Sequence, residues 1–411
     1  LNRSKNIMEH DMTLLPHFIQ IHTLHNYPAA LINRDDAGLA KRLPMGDAVR
    51  TRISSQCLKR HWRTADDRFS LSSLGVPMAI RSRQTLELIR DNIVEKGIND
   101  ELAQAAVEAL RNNKLLDASK KELKGEDALK TGQAILLGKA EIDYLVRLCV
   151  DLAKEYTESK ALKDAIKKTL KEKKKNIETL KHASGLESAL FGRMVTSDVL
   201  ASRDASIYVS HAFTVHEAQV ENDYFTVVDD LIQEAGELGS AGIFDTELAS
   251  GLYYGYVVVD VRQLVENLEG IKGEKCFEPD TPAEKRELSG QVVRNLLHLI
   301  ATVSPGAKKG STAPFDWAKF VLVEAGDWQP RSLAASFQDA LPLKRQENDK
   351  GLRVRAIERL TQEMAAMDEA YGAPSSRRYL SLDEINVPGA KRVNLKDLTQ
   401  WGEEIIHQGS C

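Results

Sequence analysis

From about Ser82 to about His182 the chain carries helical periodicity almost without a break, and on both sides of that block the pattern is that of strands. "RQTLELIRDNIVEK", "AEIDYLVRLCVDLAKEY" and "LKDAIKKTLKEKKKNIETLKH" are its clearest pieces. Before it, "FIQIHTL" (Phe18–Leu24) and "AVRTRISS" alternate with period two; after it come "ASIYVSHAFTVHEA", "GLYYGYVVVDV" and "KFVLVEAG". Strands pair through space, so a helical block between them is an insertion into a sheet-containing domain. A polar, Gly-rich stretch from Gln219 to Leu248 reads as a second, hairpin-like insertion. The fold class expected is α+β.

Local signals sharpen the boundaries. A polar stretch with Pro28, Gly38, Pro44 and Gly46 follows the first strand and reads as irregular, and Ser54 or Ser55 then starts a helix over "SQCLKRHWRTADDRF". In "DTPAEKRELSGQVVRNLLHLIATV", Thr281, Pro282 and Glu284 predict an N-cap, a first-turn proline and a capping box. Helical stretches are expected over Pro330–Ala370 and Leu395–His407. Leu1–Asp11 reads as an arm outside the domain.

Several chemistries find no support. Cys57, Cys149, Cys276 and Cys411 are far apart, with no CxxC, which argues against a disulfide scaffold or zinc knuckle and fits a reducing cytoplasm. No apolar run reaches membrane-spanning length. "GAKKGST" and "GQAILLGK" lack P-loop spacing, and GxSxG, HExxH and the dinucleotide-binding glycines are missing. His211 and His216 with Asp229 and Asp230 make a metal set on paper, but that spacing is common by chance. His22 and His25 flank a strand end, where a hydrogen-bonded structural role is expected. No cofactor and no small-molecule substrate are expected.

Charge is the informative property. The chain has 56 basic and 60 acidic residues, yet "RTRISSQCLKRHWR" (50–63) holds five Lys or Arg and no acid. Strand geometry puts Arg50, Arg52 and Ser54 on one face, opposite Val49, Thr51 and Ile53. The helix that follows puts Leu58, Trp62 and Ala65 on one stripe, and Lys59 and Arg63 on another with Gln56 and Arg60 nearby. Both apolar faces can share a core while the basic faces converge beside a helix start, whose backbone N–H groups favour anions. A second cluster, "KDAIKKTLKEKKK" (163–175), has seven Lys against two acids. Lys163, Lys167 and Lys171, continued by Lys174 or Lys175, share a helix face. A solvated surface would carry the same residue types, but two segregated clusters on an acidic chain point to a polyanion. "SPGAKKGST" adds Lys308 and Lys309 on a loop suited to phosphate or to solvent.

The motifs "FIQIHTL", "LINRDD", "RISSQCLKRHWR", "FGRMVTSD", "HAFTVHEAQVENDYFTVVDDL" and "SPGAKK" occur in the order found in the type I-E CRISPR Cascade backbone subunit, the CasC family of RAMP-type proteins. The chain resembles that family from about Phe18 to about Phe320, and more faintly beyond. The resemblance implies a right hand: a modified RRM-like, ferredoxin-type palm (12–81, 196–214, and 249–411 with C-terminal helices), helical fingers (82–195) and a β-hairpin thumb (215–248). It implies copies, typically six, stacked along one CRISPR RNA with other Cascade subunits, each thumb displacing a base while the rest stay free to pair with target DNA. It implies no catalysis by this subunit.

By the same resemblance, RNA contacts fall on Arg34, Lys41, Ser54, Gln56, Lys59 and Arg63, overlapping the patch that charge geometry selects through Arg50, Arg52, Arg60 and their neighbours. Met194, Phe225 and Thr226 would lie at the displaced base, and Lys308 and Lys309 near phosphate. Lys163, Lys167, Lys168, Lys171 and Lys174 would meet target DNA. Reading backbone and shape while leaving base edges free suits a guide of any sequence. Two other readings are open to the residues: a metal-independent CRISPR RNA-processing endoribonuclease with His22, His25 or His61 as general base, and a generic RNA-binding structural protein.

Overall fold

The computed structural model describes residues 14–112, 129–131, 134–172, 185–193, 203–228, 240–306, 309–344, 349–372 and 375–411. It is α+β and divides into two units: 1–71, 208–261 and 277–411 form the first, and 72–207 with 262–276 the second.

In chain order, the first unit opens with β1 (Phe18–Ala30), β2 (Arg42–Met45), β3 (Ala48–Ile53) and α1 (Ser55–Arg63). The second unit follows with β4 (Ala79–Ser82), α2 (Thr85–Glu95), α3 (Asp100–Asn112), β5 (Ile135–Gly138), α4 (Lys139–Glu155), α5 (Ser159–Glu172) and α6 (Leu186–Phe191). Leu86, Ile89, Leu102, Ala106, Leu145, Cys149, Leu162 and Ile166 make its apolar core. A buried Arg193–Glu141 pair at 2.6 Å ties α4 to the residue that opens "RMVTSD".

The chain then returns to the first unit with β6 (Ala212–Thr214), β7 (Gln219–Val228) and β8 (Ser240–Asp260). After the second unit takes back 262–276, the first is completed by α7 (Glu287–Thr302), β9 (Phe320–Gly326), α8 (Leu352–Tyr371), β10 (Ser376–Ser381), β11 (Lys391–Arg392) and α9 (Leu395–Gln408). The sheet order is β11-β10-β9-β1-β8-β6-β3-β2, antiparallel except for β10 with β11. The outer part of β8 leaves this sheet to pair with β7, Gln219 opposite Ser250 through Phe225 opposite Phe244.

Three expectations need correction. β1 runs on to Ala30, through residues read as irregular, because β8 is long enough to pair with it down to Ala249. His22 and His25 therefore sit inside a central strand, buried, rather than at its end. The α-helix expected to start at Thr281 begins later: Ala283–Arg286 is a 3₁₀ turn, and Arg286 at φ −124° interrupts it before α7 begins at Glu287. Among the described residues of Pro330–Ala370, only Ala334–Phe337 and α8 are helical, since the chain between them is held to the sheet where Leu341 N donates to Val215 O.

Of the two buried histidines of β1, His22 is partnered within the sheet, whereas His25 Nδ1 has no hydrogen-bond partner among the described residues. His22 Nδ1 lies 2.9 Å from the Tyr254 hydroxyl and Nε2 3.1 Å from Glu324. Burial alone would raise the Glu324 pKa, but hydrogen bonds from His22 and Arg331, with their charges, hold it far below the usual carboxylate range. Arg377 donates to the same carboxylate at 2.7 Å. His25 is pushed the other way: burial lowers its pKa from 6.5 to about 4, outweighing nearby Asp316, while Lys319 adds to the fall. Its folded pKa is depressed, so below pH 6.5 the unfolded chain takes a proton that the folded chain refuses. Stability present above pH 6.5 should be lost toward pH 4, by up to about 3 kcal/mol from this residue. Denaturant unfolding between pH 7 and 4 measures it, and a His25→Phe variant whose stability falls as steeply as the parent's would contradict the assignment.

Candidate nucleic-acid interface

Three segments of the first unit bring positive charge together: residues 34–52, α1, and the chain around Lys309. Ser54 starts α1, its Oγ accepting from Cys57 N at 3.3 Å while its own N donates to Asn33 Oδ1 at 2.8 Å. Asn33 O accepts from Lys41 N at 2.9 Å, and Lys41 O from Arg52 N at 2.8 Å. This ladder fixes Lys41 and Arg52 beside the helix start. Ala40 N and Arg42 both bond the buried Glu247, pinning the same segment to the base of the hairpin.

On α1, Leu58 and Trp62 face the core, Gln56 and Arg60 are exposed, and Lys59 and Arg63 are half-buried. The helix has no acid in its first turn, and Arg60, His61 and Arg63 fill its last, where cations suit the helix dipole. His61 Nδ1 lies 2.8 Å from Cys57 O, and Nε2 accepts from Gly306 N at 3.4 Å, joining α1 to the third segment.

Two histidines register the resulting field. Burial lowers the pKa of His61, and the charges of Lys309 and Arg60 lower it further. Burial likewise lowers that of His211, helped by Arg52 and Lys41. The exposed Arg34, by its bridge to Ala40, continues the same rim. The arrangement presents long cationic side chains around a helix start, with no carboxylate in α1 to neutralise them. Its chemistry is that of a polyanion surface.

Arg50 does not belong to it. The side chain is fully buried, donating to Thr214 O at 3.2 Å and Phe337 O at 3.0 Å, with Asp47 3.5 Å away. Alternation gives the face of a strand but not what covers it, and here the 333–341 segment covers Arg50. The close fit is visible at Gly46, φ +61°, where a Cβ would sit 1.6 Å from Gln338 O. The helix start also offers less to an anion than the sequence implied, since Ser55 N is taken by His211 Nδ1 at 3.0 Å and Cys57 N by Ser54. Nothing in the strand and helix patterns signalled His61 and His211 as the struts of the site.

On the hairpin, Tyr224 and Phe225 point to opposite faces, and neither is buried: 64% and 38% exposed. From Asp204 to Val261 the sequence has no Lys or Arg, so this arm cannot hold phosphate by charge. In the second unit, Leu162, Ile166 and Leu170 turn α5 inward, leaving Lys167, Lys168 and Lys171 exposed. Lys163 pairs with Glu108 at 2.7 Å, and Lys168 lies 4.0 Å from Glu172. Met194, Lys174, Lys308, Asp229 and Asp230 lie outside the described residues, as does the side chain of Thr226.

Among the described residues no group of three or more His, Cys, Asp or Glu side chains could hold a metal, and no helix is long and apolar enough to cross a membrane. His216 is engaged through Nδ1 with Glu217 O and through Nε2 with Leu252 N. All four cysteines are free thiols.

The family model for CT1975-like proteins matches residues 19–402. The chain belongs to the CT1975-like family. No curated protein matches this CT1975-like chain. Solved structures do. A chain of "CRISPR RNA-guided surveillance complex, pre-nicking" aligns with a TM-score of 0.73 at 26% identity, over 94% of this chain and 100% of that one. A chain of "CRISPR RNA-guided surveillance complex" aligns at 0.63 and 21% identity, over 93% and 99%, and shares the fold. The resemblance to the Cascade backbone subunit, read from motifs alone, is borne out by these matches.

Proposed function

We propose that this CT1975-like chain is the non-catalytic backbone subunit of a CRISPR surveillance complex. In this reading the first unit is a modified RRM-like palm, the second unit the fingers, and β7 with the outer part of β8 the thumb. Copies, typically six, assemble along a CRISPR RNA together with other Cascade subunits. Arg34, Lys41, Arg52, Gln56, Lys59, Arg60, Arg63 and Lys309 hold its phosphates, and Ser54 sets the helix start that carries four of them. The observation that carries the reading is the hydrogen-bonded frame that sets three cationic segments side by side: Asn33, Lys41 and Arg52 linked to the start of α1, Ser55 N to His211, and His61 of α1 to Gly306 beside Lys309. The acidic thumb is repelled by phosphate, so it meets RNA through Phe225, with Met194 and Thr226, on the base side. It displaces one base per subunit and leaves the others to pair with target DNA. Lys163, Lys167, Lys168, Lys171 and Lys174 on the fingers steer that DNA by charge. The burial of His22 and His25 inside the sheet, and the engagement of both His61 ring nitrogens with Cys57 O and Gly306 N, support binding over RNA cleavage.

Affinity of the full chain for single-stranded RNA should fall steeply as salt rises and change little when the sequence is scrambled. The variant Lys59→Ala/Arg63→Ala should keep the fold and reduce the salt slope by about 0.7 for each phosphate left unneutralised. A titration series at several salt concentrations measures both. A salt-insensitive or strongly base-specific affinity would overturn the reading.

A further inference from the structure

Phe315 and Trp317 are 68% and 70% exposed, two residues apart on one extended segment, while the residues between and beside them turn inward. The segment is firmly held. Asp316 accepts from Asn26 N at 2.7 Å and from Lys319 Nζ at 2.5 Å. Ser304 Oγ donates to Asp316 O at 2.8 Å, and Ala318 N to Ala301 O at 2.8 Å. Two large rings are thus fixed outward by a scaffold that does not need them for its own packing. They rim a groove of about 560 Å³ floored by Leu380, Leu382 and Leu395. Its polar side chains are already engaged, Thr302 with His298 O and Asp316 with Lys319, so the groove has an apolar face and little with which to read a base edge.

The groove is continuous with the cationic surface. Lys309 Nζ lies 6.0 Å above the Phe315 ring and is near enough to His61 to depress its pKa. Cations interleaved with rigid exposed aromatics are what a single-stranded nucleic acid engages, because every base has a π-face whatever its identity. We propose that Phe315 and Trp317 form a stacking platform for unpaired bases of the RNA whose phosphates lie on α1, with Lys309 bridging the two. The proposal rests on the RNA-holding reading above and adds a base contact separate from the hairpin.

The test compares the full-length chain with Phe315→Leu and Trp317→Leu on two single-stranded RNAs of equal length, one of them abasic through its middle, after circular dichroism has shown that the variants fold. Each variant should bind the base-bearing RNA roughly 5- to 150-fold more weakly, with an unchanged salt slope and unchanged affinity for the abasic strand. The quenching of tryptophan emission by base-bearing RNA should shrink in Trp317→Leu. Equal affinity of parent and variants for both strands would overturn the platform while leaving the phosphate reading standing. So would variants that lose self-association but not RNA affinity, which would make the groove a protein-docking surface. A parent chain without RNA affinity would overturn both. The shallower salt slope expected of Lys59→Ala/Arg63→Ala tests the phosphate reading separately.

Discussion

Trp62→Ala should destabilise the chain by about 3–5 kcal/mol, the range for removing a large ring from a well-packed core. Trp62 is 3% exposed, and with Ile53, Leu58, Tyr253, Ile300 and Val303 it surrounds a void of only about 20 Å³. Such a site leaves the neighbours little room to collapse into the space the indole vacates. Lys59 and Arg63, half-buried one stripe away on the same short helix, do not enter that packing, and truncating them should cost clearly less than removing Trp62. Urea unfolding of the three chains checks the contrast. A loss below about 1 kcal/mol for Trp62→Ala, or a loss in Lys59→Ala/Arg63→Ala equal to it, would mean that the two stripes of α1 are wrongly assigned.

α1 was legible in the sequence because its information is local. Ser54 as N-cap, the Leu58–Trp62 spacing and the absence of acids all lie within fourteen residues, and the helix starts as they dictate; it ends at Arg63 rather than running through "TADDRF", with Thr64 Oγ1 donating to Arg60 O at 2.9 Å. The central strands β1, β3, β6, β8 and β9 were legible for the same reason, as were the fold class and the family motifs, whereas the short β2, β4, β5, β10 and β11 were not, β5 lying inside the stretch read as helical. Arg50 was misplaced because its partners are the carbonyls of Thr214 and Phe337, far along the chain, and alternation knows nothing of them. The extension of β1 to Ala30 was hidden by Pro28, which marks a turn locally but is tolerated because it sits in an irregularity between Tyr27, opposite Gly251, and Ala30, opposite Ala249, where no ladder hydrogen bond is needed from it. Thr281 carried every local sign of a capping box, and tertiary geometry around Arg286, which donates to Ile406 O and His407 O, set the helix start elsewhere. His61 and His211 could not be told from solvent-exposed histidines, since their meaning lies in Gly306 N and Ser55 N. The site's charge was thus readable, and the struts that hold it were not.

Assembly along RNA is the property on which the whole account depends. In the proposed reading, copies that share one guide add at a fixed interval, because each palm would cover a set length of backbone and each thumb would interrupt the stack once. The most direct measurement is the native mass of the full-length chain bound to single-stranded RNAs lengthened a few nucleotides at a time. The mass should rise in steps of one chain per constant increment of RNA, independent of sequence, with the RNA recovered intact. Shortening the β7–β8 hairpin should abolish the regular steps while leaving salt-dependent binding. One chain per RNA at every length, or RNA cut to defined products, would contradict the account.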